Sequence, residues 1–293
     1  MSSIAPNPAP RVAFQPNWWA RAGWVLLAIY VVWATISLDV SWARFVDGLG
    51  NAQKFFGRMF PPNVEADKIE LVVKGLAESV QIAIIATFVG IALSLPIGLL
   101  AARNLMPVWV VWPARALIAV CRSFHEVVVA IIFVKAVGFG AIAGVGALVI
   151  GSIGFISKLF AEAIEEISPK QVEAIRATGA GFFGVLTFGV MPQVFSRFLG
   201  FASYQFDSNL RHSTMIGIVG AGGIGGSLFS AFQRFDYDFV CTILLAIIAL
   251  IMVAEVLSGY ARALFSDNLA LLDYFRRRRL AKSAAEKAAL EAA

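Results

Sequence analysis

Arg115, Arg122 and Glu126 stand seven and four residues apart in an otherwise apolar stretch, so on one continuous helix they share a face. Charges inside an apolar span are costly and face a bundle interior or a wet cavity rather than lipid. Arg122 and Glu126, at i and i+4, can pair. Two roles fit: a lining that attracts anions, or a neutralised pair that locks helices together. His125 falls off that face and suits a hydrogen-bonding role, while Lys135 lies opposite, where its stem can snorkel. A second polar group, Arg211-His212-Ser213-Thr214, precedes a glycine-rich run. A guanidinium, hydroxyls and unbonded amides together suit a small oxyanion; an interface-anchored arginine fits equally. Gly220-x-Gly222-x-x-Gly225 matches the dinucleotide fingerprint by letter, but no βαβ unit surrounds it and an apolar span precedes it. It reads instead as irregular backbone at membrane depth, tolerated when buried in protein or lining a cavity, with close helix packing as the alternative. No G-x-x-x-x-G-K-[ST] occurs, so in an ATP-driven process nucleotide and Mg would bind another chain. No nucleophile–base pair and no His/Cys spacing for a metal appears, so no catalytic residue, metal or cofactor is expected in this chain. Glu162, Glu165 and Glu166 read as a solvated face.

The elements that position these groups must be membrane helices. Of 293 residues, 59% are hydrophobic and 15% charged, with a mean hydropathy of +0.78. Soluble domains carry about 45–50% apolar and about 25% charged residues, so soluble, disordered, collagen-like and disulfide-rich classes are excluded. Cys121 and Cys241 sit in apolar stretches and give no disulfide framework. The net charge of +5 comes mostly from Arg11, Arg21 and Arg276–Arg279, which suit topology determinants better than nucleic-acid contacts.

Six spans are expected: Ala22–Leu38, flanked by Trp18, Trp19, Trp24 and Trp42; Ser79–Ala102, with Pro96 inside; Pro107–Val137, long enough that it must tilt, kink or protrude; one from within Gly138–Gly154 to near Glu162; Pro192–Leu210; and Phe239–Gly259. Residues 39–75 are a loop or surface helix. Lysine and arginine counts in the short loops put both termini in the cytoplasm. The organisation is then a tail at 1–21, a membrane domain at 22–265 and a tail at 266–293 whose end, 280–293, is a frayed helix.

Between the fourth and fifth spans lies a polar stretch, Ser168-Pro169-Lys170-Gln171-Val172-Glu173-Ala174-Ile175-Arg176-Ala177-Thr178-Gly179. Ser168 as N-cap, Pro169 at the first helical position and Gln171 completing a capping box predict a short helix, with Gly179 as its stop. A merely connecting loop has no need of such a helix, whereas a docking loop does.

Glu173-Ala174, Gly179 six residues beyond the Glu, and Pro192 thirteen beyond the Gly resemble the EAA loop of ABC-importer permeases, E-A-A-x3-G-x9-I-x-L-P. Ile175, Gly189 and Met191 replace the second Ala, the Ile and the Leu. Three further stretches, Arg122-Ser123-Phe124-His125-Glu126, Phe155 to Glu166, and Thr214 to Gly225, look like phosphonate-importer permeases, and the resemblance covers about residues 70–265. It implies an all-α integral membrane protein with the type I importer fold, in which the first span is an addition to a five-helix core. It also implies that loop 167–191 couples to a cytoplasmic ATPase through Glu173, Ala174, Ile175, Gly179 and Pro192. The implied assembly has two copies of the permease, two ATPase subunits that hold ATP and Mg, and an extracytoplasmic binding protein, all in a bacterial inner membrane. The pathway for phosphonate or a related oxyanion would then run past Arg122, Glu126, Arg211, His212, Ser213, Thr214, Gly220 and Gly222. Phosphite, phosphate or an amino acid are alternative solutes. A gradient-driven transporter would need matched broken helices in inverted halves, and a membrane enzyme would need a convergent catalytic set.

Overall fold

The computed structural model describes residues 18–38 and 41–260, and these hold helices and no strand. Five helices are long and apolar enough to cross a membrane, or six if one bent pair forms a single span. The chain divides into two compact units at Arg58–Met59.

The first unit carries α1 (Trp18–Ser37) and α2 (Trp42–Met59). No residue of α1 is buried; a helix apolar all round with no protein partner suits contact with lipid. In α2, Trp42, Phe45, Val46, Leu49 and Phe56 recur at helical spacing and stay exposed, with charged residues between them. That is the pattern of a helix lying in a membrane interface, so 39–75 is a surface helix followed by the start of the next span.

The second unit contains α3 (Ala66–Ala101), α4 (Val108–Ser123), α5 (Glu126–Val137), α6 (Ala141–Glu165), α7 (Pro169–Ala177), α8 (Phe182–Val219), α9 (Ile224–Gln233) and α10 (Tyr237–Tyr260). The helix α6 is central, with α3, α4, α5 and α8 packed around it. On α3 a stripe of small residues, Ala83, Ala86, Gly90, Ser94 and Gly98, faces it. A Cβ added at Gly90 would lie 2.4 Å from that of Ser152, and one at Gly98 2.8 Å from the Phe160 ring. Lipid offers no hydrophobic drive for helices to associate, so close backbone approach and interhelical hydrogen bonds take its place. Asn209 of α8, 1% exposed, supplies the latter: its Nδ2 donates to Thr87 of α3 at 2.9 Å and to Ser152 of α6 at 3.0 Å. Gln205 Nε2 donates to Asn209 Oδ1 at 2.9 Å.

Several boundaries differ from the sequence expectation. The span expected over Pro107–Val137 breaks at Phe124-His125, where α4 and α5 meet at 92°. Both residues are extended, and His125 Nδ1 accepts from the Val127 N–H at 3.3 Å, so His125 caps α5. The second span begins at Ala66 rather than Ser79, and the fourth runs from Ala141 to Glu165. The fifth is extended at both ends by a π turn over Val185–Val190 and a 3-10 turn over Gly217–Val219.

Candidate functional site

The helix α7 stands clear of the bundle on one face only. Val172 is buried and Ile175 packs beside it against Val185, Val190, Val194 and Phe198. Gly189 makes this approach possible, since a Cβ there would already touch Val172 and Ile175 at 3.6–3.7 Å. Glu173, Ala174 and Arg176 point outward and are exposed, as is Gly179. Gly179 has φ +80° with nothing around the site of a Cβ, so glycine is required there by the left-handed turn and not by space. Pro169 opens α7 as expected, but Ser168 and Gln171 form no capping box. The N–H of Ser168 instead donates to Gln193 Oε1 at 3.1 Å, and Gln193 Nε2 donates to the Gly189 carbonyl at 2.7 Å. Gln193 therefore ties the start of α7 to the π turn of α8, one residue after Pro192.

At the same end, Glu165 is not a solvated side chain. Its Oε1 accepts from the Arg103 N–H at 2.7 Å and from the Arg115 guanidinium at 2.6 Å, and Arg115 Nε also donates to the Ala101 carbonyl at 3.0 Å. Glu162 pairs with Lys158 at 3.5 Å, and Glu166 pairs with Arg197.

A charged groove runs inward from this corner. On α6, Gly151, Phe155, Lys158 and Glu162 form one stripe between α4 and α8. Phe155 stacks on Tyr204 of α8 with ring centroids 5.3 Å apart, and Lys158 and Glu162 face Arg115 and Arg122 of α4 across a cavity. Arg122 is exposed and packs at Gly154, near the middle of α6. It does not pair with Glu126, because the break at Phe124-His125 sends the two side chains apart. Glu126 lies at Gly151 and between the two histidines of the chain, with His125 Nδ1 at 3.9 Å and His212 Nδ1 at 3.7 Å. Among the described residues His212 Nδ1 is buried without a hydrogen-bond partner.

The second polar group is only partly available to an anion. Arg211 is exposed, on the same side of α8 as Tyr204, but Ser213 and Thr214 are buried and their hydroxyls donate to the carbonyls of Leu210 and Arg211. All four residues are inside α8, so their amides are not free as the sequence suggested. The glycine turn that follows is packed. Gly220, Gly222 and Gly223 have positive φ, a Cβ at Gly222 would meet Ala141 and Glu78 at 2.8 Å, and the Ile224 N–H donates to Ser79 Oγ at 3.0 Å. Gly220 and Gly222 thus serve close packing of α3, α6 and α9.

Sequence reasoning missed Gln193, Lys158, Asp207 and the Gln205–Asn209 pair. Asp207 accepts from the Ser258 hydroxyl of α10 at 2.5 Å. Gln205, Asp207 and Asn209, three polar residues inside one span, were a signal available without a structure. No group that could hold a metal ion occurs among the described residues.

Residues 94–269, more than half of the chain, match the family described as "Binding-protein-dependent transport system inner membrane component". Over 209 residues the chain is 46% identical to the phosphate-import permease protein PhnE of Mycolicibacterium smegmatis, covering 71% of this chain but only 39% of that protein. It is 37% identical to the phosphite transport system permease protein PtxC of Stutzerimonas stutzeri, covering 86% of this chain and 92% of that one. The fold is similar to that in inward-facing crystal structures of the MetNI methionine ABC transporter, with a TM-score of 0.59, 21% identity, and coverage of 68% of this chain and 98% of that one.

Proposed function

The chain belongs to the family of inner membrane components of binding-protein-dependent transport systems, and from that premise we propose that it is the permease of an ATP-driven importer for a small phosphorus oxyanion. The observation that carries this is α7: a short helix whose Val172 and Ile175 are clamped to α8 while Glu173 and Ala174 stand exposed for a partner. Phosphonate, phosphite and phosphate share one tetrahedral, anionic chemistry. The names of the relatives and the cations of the groove support this solute class.

In this reading α7 faces the cytoplasm, as do both termini, and inserts into an ATPase subunit that binds ATP and Mg. A second copy of the permease covers the groove, because exposed Arg122 and Arg211 cannot face lipid. An extracytoplasmic binding protein delivers the solute at the end that carries α9. When the ATPase moves α7, Gln193 and the Val172–Ile175 contacts pass the motion to α8, which carries Tyr204 and Arg211 along the groove. Rigid-body movement of packed elements about an interface is a common form of such switching.

The test is uptake into proteoliposomes that contain permease and ATPase, with ATP inside and binding protein outside. Accumulation of phosphite, phosphate or a phosphonate should require both. Accumulation driven by an ion gradient without ATP refutes the assignment.

A further inference from the structure

We propose that the cavity between α4 and α6 is a binding subsite for a singly charged tetrahedral oxyanion, a station on the half of the pathway nearer α7. This rests on the oxyanion reading above and adds where the solute is held and by what. The cavity measures about 150 Å³ and is lined by Arg115, Arg122, Lys158 and Glu162, with Ile118 and Ala161 as its apolar floor. Two of its cations are compensated: Arg115 by Glu165 at 2.6 Å, and Lys158 by Glu162 at 3.5 Å. Arg122 has no carboxylate partner among the described residues, although its backbone lies against Gly154 near the middle of α6. Three cations against two carboxylates leave one positive charge in excess, which matches one negative charge on a ligand.

The chemistry of the lining points the same way. A guanidinium presents a planar fork of N–H donors that fits two oxygens of a phosphorus acid. The Lys158 ammonium, a compact point charge, can serve a third oxygen from the facing helix. Arg115, fixed by both Glu165 and the Ala101 carbonyl, closes the end nearer α7. The groove on the other side of α4 makes the contrast. Between α3 and α4 a cavity is lined by Ile97, Leu100, Pro113 and Leu117 with no charge at all, as a surface turned to lipid should be. Charge is thus confined to one side of α4, and that side faces α6 and α8.

A phospholipid headgroup offers the same phosphate chemistry, and basic pockets between helices near a membrane surface do bind headgroups. The experiment therefore has to separate a free oxyanion from a lipid phosphate. Binding of radiolabelled inorganic phosphate is measured by equilibrium dialysis on the complete permease–ATPase complex, in nanodiscs of phosphatidylcholine with and without phosphatidylglycerol. Arg122→Gln and Lys158→Gln should each weaken binding about tenfold, the scale expected for losing a hydrogen bond to a charged group. Arg122→Lys should retain part of it. Lys74→Gln, which removes an exposed Lys74–Glu70 pair, should bind as wild type. Phosphate should also protect Lys158 of the unaltered protein from amine acylation, which keeps the test decisive if the Gln variants do not assemble.

Wild-type binding and uptake in both Gln variants, or Lys158 labelling unaffected by phosphate, overturns the subsite. Displacement of phosphate by phosphatidylglycerol, with uptake unchanged in Arg122→Gln, identifies a lipid site and overturns the station. Binding that depends on Arg122 in a complex without ATP-dependent uptake instead sinks the functional reading and leaves the subsite standing.

Discussion

Replacing Gln193 with Ala removes two hydrogen bonds at once, one from the Ser168 N–H and one to the Gly189 carbonyl. A net hydrogen bond contributes about 0.5–1.5 kcal/mol. The Ser168 end is exposed, so its bond falls at the low end of that range, and the pair together should hold α7 on α8 by about 1–2 kcal/mol. Local opening of α7 would then be favoured about 5–30-fold more than in the wild type, and amide hydrogen exchange reports that opening directly. The amides of Val172 to Arg176 should exchange faster by that factor in Gln193→Ala, while those of α3 and α6 keep their wild-type rates. Gln193→Glu keeps an acceptor for Ser168 but loses the donor to Gly189, so it should fall between the two. The functional readout is the amount of solute imported per ATP hydrolysed, which should drop as the tether loosens. Wild-type exchange across α7 in Gln193→Ala refutes the tether; faster exchange with an unchanged transport ratio refutes its part in coupling.

Glu173→Ala and Gly179→Asp should both reach the membrane at normal levels yet lose co-purification with the ATPase and lose uptake. At Gly179 the cost is a left-handed backbone carrying a Cβ, about 1–2 kcal/mol, and a new charge on the docking side; full uptake by both variants would remove the coupling assignment. Homodimerisation follows from one α7 per chain serving one site of a two-site ATPase, and a measured complex mass with a single permease copy would refute it. Asn209→Leu removes three interhelical or i, i+4 bonds at about 0.6 kcal/mol each and strands the buried Gln205 amide, for a loss of about 2–4 kcal/mol. A melting temperature in detergent equal to wild type would show that the network does not hold α3, α6 and α8 together.

The class and most spans were legible because membrane helices announce themselves by length and hydropathy, which need no knowledge of partners. The helix α7 was legible for a different reason: Pro169 and Gly179 are local conformational signals at its two ends. Its cap was not, since Gln193 reaches Ser168 from 25 residues away and only folding brings them together. The break at Phe124-His125 was equally hidden. Neither residue is Gly or Pro, both flanks are apolar, and periodicity runs straight through. That one error carried over to chemistry, because the i, i+4 pairing of Arg122 with Glu126 assumed a continuous helix. At Arg211 to Thr214 the residue types were compatible with an anion, but α8 runs on through them and uses the amides and both hydroxyls internally.

The break has a mechanical consequence for how the two ends of the molecule communicate. The helices α3, α6 and α8 are joined by glycine contacts at Gly90 and Gly98 and by the Asn209 hydrogen bonds, so they resist sliding past one another. A displacement of α7 should therefore carry this three-helix body as one piece. The helices α4 and α5 are joined to each other only through two extended residues, and their angle of 92° can change without breaking an intrahelical hydrogen bond. Glu126 begins α5 and meets His212 of α8 at 3.7 Å, while Arg122 ends α4 and lies against Gly154 of α6. Rotation of the body beneath the break would thus change the separation of Arg122 from Glu126, a cation from a carboxylate, without moving either along its own helix. A groove whose charge spacing depends on that angle can hold an oxyanion in one state and release it in the other, with α7 setting which state prevails.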